Sequence, residues 1–220
     1  KQGFTFLKSA PNIRTSFLVD IIAMVLGRPY AVLPAVAALV IGGGPATVGV
    51  LTAAAAVGTF LASLFSGPVA RINRYGLAIG RAVTVYGAFI ALFGVVLLVG
   101  SLGIFGEVGN SWGEVNLVGL SLAALCFVGM GASDEVSTIF RTTILLTAAP
   151  DDMRGRLQGV FYAVIAGGPR LGDFYTGLLA VAIGLWAPAL LGGIAIMVLI
   201  TVILRTNHRF RNYDNRNPEL

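Results

Sequence analysis

Histidine and cysteine each occur once in 220 residues, and charged side chains make up only 11% of them. With Cys126 alone, the chain has no internal disulfide framework and no cysteine-based metal centre. With His208 alone, no His/Cys/carboxylate spacing suits a metal ion, and no glycine-rich phosphate loop is present. No metal, no cofactor and no enzyme chemistry is therefore expected. Scarce charge has a further consequence. A soluble domain is about 45–50% apolar, whereas this chain is 56% apolar.

That excess is arranged in long runs. Lipid offers no partner for a free peptide group, so a chain crosses it as helices of about 20 mostly apolar residues. Six such segments are expected, near 15–39, 46–66, 77–100, 115–147, 157–182 and 187–205. Turn signals separate them: "GGGPAT", "SGPVARINRYG", "GEVGNSWG", "APDDMRG" and "IGLWAP". The organisation expected is a lead-in over 1–14, a six-helix bundle over 15–205 and a tail over 206–220. The chain begins at Lys1 without Met, and its first apolar run exceeds a signal-peptide core of roughly 7–15 residues. A fragment or a processed start is the expectation.

The net charge of +5 does not mark a nucleic-acid binder, because the basic residues alternate with the segments. Lys1, Lys8 and Arg14 precede the first segment. Arg71 and Arg74 follow the second, Arg154 and Arg156 the fourth, and Arg205, Arg209, Arg211 and Arg216 the sixth. The intervening loops carry Glu107 and Glu114 and no Lys or Arg. Basic residues favour the cytoplasmic side, so both ends are expected there. "DDMRGRLQG", Asp151 to Gly159, reads as the cytoplasmic turn between the fourth and fifth segments. "GNSWG", Gly109 to Gly113, fits a G-x-S-x-G nucleophile pattern but is expected in an outer loop, across the bilayer from His208, so a serine hydrolase is not expected. Trp112 and Trp186 read as anchors at the outer boundary.

A charge at mid-bilayer costs at least about 2.5–3.5 kcal/mol, so one that remains usually faces the bundle interior and often marks a substrate or proton path. The first segment holds Asp20 and Arg28, the fourth Asp134, Glu135 and Arg141, and the fifth Arg170 and Asp173. Arg28 lies 14 residues beyond Arg14, Asp134 lies 14 before Ala148, and Arg170 lies 13 beyond Leu157. At 1.5 Å per residue each sits about 20 Å from the same side. A polar cluster joining the first, fourth and fifth segments is predicted. Asp134, Ser137, Thr138 and Arg141 share one helical stripe, and Arg170 with Asp173 forms an i, i+3 pair. Asp20 is assigned to a loop arginine. Pro29, Pro34 and "GGP" at 167–169 suggest kinks or broken backbone beside the charged level, where transporters place binding sites. Small-xxx-small spacings at Gly76/Gly80, Gly155/Gly159 and Gly168/Gly172 suit close helix contacts.

"RTSFLVDIIAMVLGRPYAVLPA", "GASDEVSTIFRTTILLTAAPDDMRGRLQGVF" and "GGPRLGDFYTG" resemble the C-terminal half of the major facilitator superfamily, in its branch around the bacterial enterobactin exporters. "PDDMRGRLQG" followed by "LGD" is the most specific part. The resemblance covers nearly the whole chain. It implies an all-α integral membrane fold of six transmembrane helices, half of a twelve-helix transporter that works by alternating access in the bacterial inner membrane. It implies that the first and fourth helices line the cavity, the second and fifth line the interface between halves, and the third and sixth face lipid. It also implies a cytoplasmic latch at Asp151, Arg154 and Arg156. Two departures stand out. Arg71 occupies the place of an expected acid in "GPVARINRYG", and Arg28 precedes Pro29 where the family's arginine commonly follows it.

Proton-linked efflux of a siderophore-like or drug-like molecule is the expected function. Asp134, Glu135 and Asp173 are the proton-coupling candidates, since burial favours a neutral carboxyl group. Arg28, Tyr30, Arg141 and Arg170 are the substrate-binding candidates. Partners expected are a small-molecule substrate, protons, the bilayer, and either the missing N-terminal half or a second copy of this one. The alternative is a non-transporting six-helix scaffold or an orphaned half.

Overall fold

The computed structural model describes residues 10–69, 72–148 and 151–214. Among these there is helix and no strand; one isolated antiparallel bridge joins Arg74 to Asp214. The helices are α1 (Pro11–Leu26), α2 (Leu33–Leu39), α3 (Gly44–Leu64), α4 (Ser66–Val69), α5 (Tyr75–Ser101), α6 (Leu117–Ala148), α7 (Asp151–Ala182), α8 (Ala187–Thr206) and α9 (His208–Arg211). A single 3-10 turn, Pro29–Val32, links α1 to α2.

Among the described residues, five segments are long and apolar enough to cross a membrane: Pro11–Leu39, Gly44–Leu64, Tyr75–Ser101, Leu117–Ile144 and Ala187–Thr206. Helix α7, the expected fifth span, is 32 residues long but is not among them. Its sequence has charges at both its start and its middle, which dilutes the apolar run. "DDMRGRLQG" is also not a turn, because α7 begins at Asp151. Acids at a helix start are favoured by the unpaired N–H groups there, so the acidic pair begins the helix rather than ending a loop.

Two prolines that looked alike in sequence behave differently. Before Pro29, Arg28 adopts φ −116° and ψ 65°, outside the helical region, and α1 stops at Leu26. Pro169, by contrast, lies inside α7, which runs through it. Of the kink or break expected at "GGP", the break does not occur.

Helix α3 packs most extensively on α6, α5 lies against both α6 and α8, and α1 pairs chiefly with α7. The α3–α6 crossing is reciprocal. A Cβ on Gly58 would strike the Val128 carbonyl, and one on Gly131 would strike the Ala55 carbonyl. Glycine lets these backbones touch, the usual source of cohesion where lipid supplies no hydrophobic drive between helices. Phe93 and Phe127 meet edge to face at 5.1 Å in the core. At one end, Gly42, Gly43 and Gly44 all hold positive φ, and the Gly43 N–H donates to the Gly109 carbonyl at 2.8 Å. The Gly109–Gly113 loop is thereby tied to the α2–α3 turn. His208 lies at the other end, beside Asn207, whose amide donates to Thr15 near the start of α1.

Candidate functional site

The interruption of α1 exposes backbone groups in the bundle middle, and side chains from other helices satisfy them. The Tyr86 hydroxyl donates to the Gly27 carbonyl at 2.8 Å, and the Thr176 hydroxyl to the Arg28 carbonyl at 3.3 Å. A carbonyl freed by a helix break needs such partners in a medium without water. Beside the break, the Arg28 Nε donates to Asp173 Oδ1 at 3.1 Å, linking α1 to α7. Gly172 allows this approach, since a Cβ there would meet the Met24 carbonyl at 2.7 Å. The Arg28 guanidinium also lies 5.9 Å from the Tyr30 ring centroid, within cation–π range.

A second network lies deeper. Arg141 Nη1 donates to Asp20 Oδ1, with both side chains almost wholly buried. Its Nη2 donates to the Thr138 hydroxyl at 2.9 Å and to Asp134 Oδ1 at 3.3 Å. Asp20 takes the buried lobe of the guanidinium, while the Asp134 side chain keeps 57% of its surface exposed. Two carboxylates share one arginine, so the cluster carries a surplus negative charge on its open side.

The Arg141 network and Arg28, though not Asp173 or Thr176, border a cavity of about 490 Å³. Asp20, Arg28 and Tyr30 line it from the first span, Thr59 from α3, Tyr86 from α5, and Asp134 with Arg141 from α6. The charges predicted to form one cluster of α1, α6 and α7 form two networks, Arg28 with Asp173 and Arg141 with Asp20 and Asp134. Asp20 pairs with Arg141, not with a loop arginine. Asp173 pairs with Arg28 rather than with Arg170, its i, i+3 neighbour. Arg170 is exposed, off the cavity and without an ion-pair partner among the described residues. Of the α6 stripe, Ser137 is fully buried and does not line the cavity. Glu135 faces α3, where its Oε1 accepts from Ser63 at 3.0 Å. The side chains of Asp151, Arg154 and Arg156 lie outside the described residues.

Sequence reasoning passed over Tyr86 and Thr59. A phenol in the middle of an apolar span was the available signal for Tyr86, since a buried tyrosine hydroxyl usually finds a partner.

The chain is similar to a curated exporter. Over 212 residues it is 27% identical to "Enterobactin exporter EntS" of Citrobacter koseri, a match that covers 95% of this chain and 46% of the exporter. It thus spans about half the length of the relative it matches. No family model matches the chain, and no solved structure matches it significantly. The similarity supports a relationship to the major facilitator superfamily. Together with the apolar helices it points to a multi-pass membrane protein.

Proposed function

We propose that this chain supplies one half of a secondary active transporter that exports a small organic molecule, siderophore-like or drug-like, by alternating access. The observation that carries the reading is the shared arginine: Arg141 held between buried Asp20 and cavity-facing Asp134, beside a broken helix. An intramembrane charge is expensive to keep, and a scaffold would not need one opening on a cavity. Asp134 is the proton-coupling group, because a proton gained there releases Arg141 to Asp20 alone and removes the surplus charge from the cavity. Glu135 and Asp173 act beside it, and Arg28 and Tyr30 contact the substrate at the helix break. Arg141 completes the basic set, Arg170 stands off the cavity and outside it, and Asp151, Arg154 and Arg156 form the latch. In this reading α7 also spans, as the fifth of six, both termini are cytoplasmic, and a second six-helix half or a second copy closes the cavity.

The test is transport by the complete protein in proteoliposomes under an imposed pH gradient. Asp134→Asn with Glu135→Gln should abolish gradient-driven movement while gradient-independent exchange of substrate persists. Full proton-coupled transport by that double variant would end the assignment.

A further inference from the structure

A second cavity, of about 530 Å³, lies on the outside of the bundle, away from the site above. It opens in the cleft between α5 and α6, at the end of the bundle that gathers Arg74, Arg205, Arg209 and Arg211. Its walls are of two kinds. Leu77, Val85, Val136 and Phe140 are apolar, while Arg74 and Arg81 bring two guanidinium groups. Asp214, joined to Arg74 through the backbone bridge, brings one acid to the lining against two guanidinium groups.

The surroundings identify what such a groove meets. Arg81, Val85, Ala88, Leu92 and Val95 are all exposed and recur at helical spacing, so they form one stripe along α5. Every member but Arg81 is apolar, and Arg81 stands at the arginine-rich end of the stripe. An exposed apolar stripe on a membrane-spanning helix faces acyl chains, and an arginine at its end reaches for the headgroup level. Arg74 caps the start of α5 and Arg81 lies two turns further on, about 10 Å along the axis, and both line the groove. Arg81 has no ion-pair partner among the described residues. Guanidinium groups recognise phosphate through paired, charge-assisted hydrogen bonds.

We infer that the α5–α6 groove is a binding site for an anionic phospholipid, its phosphate held between Arg74 and Arg81 and its acyl chains laid along Val85, Leu92 and Val95. A free phosphate ester would use the arginines but leave the apolar stripe uncovered, so the commitment is to the lipid. The inference is independent of what the central cavity transports.

Native mass spectrometry of the full-length protein in mild detergent tests this, with phosphatidylglycerol, phosphatidylcholine and glycerophosphate as probes. Phosphatidylglycerol should be retained in preference to phosphatidylcholine by roughly tenfold. Arg74→Gln with Arg81→Gln should erase the preference, Arg81→Lys should keep most of it, and Arg205→Gln should leave it intact. Equal retention of the two lipids would overturn the inference, as would persistence of the preference in the double variant or its loss in Arg81→Lys. Displacement of the lipid by equimolar glycerophosphate would overturn the lipid commitment itself. A thermal melt of each variant, matched to the parent, separates lost recognition from lost folding.

Discussion

Arg141 reaches across 121 residues of chain to Asp20 and closes a buried ion pair between α6 and α1. Both side chains are nearly inaccessible, at 6% and 3%. An arginine so placed cannot be removed without stranding its buried partner.

Arg141→Gln should therefore destabilise the bundle by about 3–5 kcal/mol, the cost of leaving one buried charge uncompensated. Adding Asp20→Asn should recover part of that loss. Thermal unfolding in detergent reads both; a single variant as stable as the parent would show that the pair is not buried in the folded protein.

The Arg28–Asp173 pair should behave differently, since its side chains are 28% and 33% exposed. Asp173→Asn is expected to cost no more than about 1 kcal/mol in stability, as for exposed ion pairs. Its effect belongs in transport kinetics. A loss of stability comparable to that of Arg141→Gln would contradict the partial solvation.

Glycines divide by their surroundings. Gly131→Val should destabilise by about 1–3 kcal/mol, because its side chain must displace the Ala55 carbonyl and push α3 off α6. Gly155→Ala, on a position with nothing within 4 Å, should be neutral or stabilise by up to about 1 kcal/mol through helix propensity. The order of the two melting temperatures checks the crossing.

Beside the Gly109–Gly113 loop, Glu114 accepts from the Ser111 hydroxyl at 2.7 Å and from the Ser111 N–H at 3.3 Å. These bonds, the hydroxyl first, hold the fully exposed carboxyl below its usual range. A depressed carboxyl pKa supports the folded loop above the unfolded value, and that support is lost as pH falls through the folded value. Loop order should decline on acidification below about pH 4, the ordinary range for glutamate. Ser111→Ala should move the Glu114 titration upward toward that ordinary value. NMR of labelled glutamate follows it; an unmoved titration would mean that Ser111 does not hold the carboxylate.

Much of this molecule could be read from residue order. Apolar runs broken by "GGGPAT" and "IGLWAP" located spans at 44–64 and 187–206 to within two residues, because helix length in lipid is set by composition. The Pro29 break was visible too, since proline acts on its immediate neighbour. The continuity of α7 through Pro169 was not visible, and neither was its start at Asp151.

Depth along the chain placed Arg28, Asp134 and Arg170 at one level, but depth says nothing about azimuth. Which arginine holds which acid depends on how α1, α6 and α7 rotate and tilt against one another, and those angles follow from contacts such as Gly172 against Met24. Hence Asp20 met Arg141 instead of a loop residue, Asp173 turned to Arg28, and Arg170 was left outside. Composition and spacing settled the environment and the inventory of charges, because both are sums over local sequence. Pairing was decided by packing, because a charge in low dielectric takes the nearest opposite charge in space, whatever its distance along the chain.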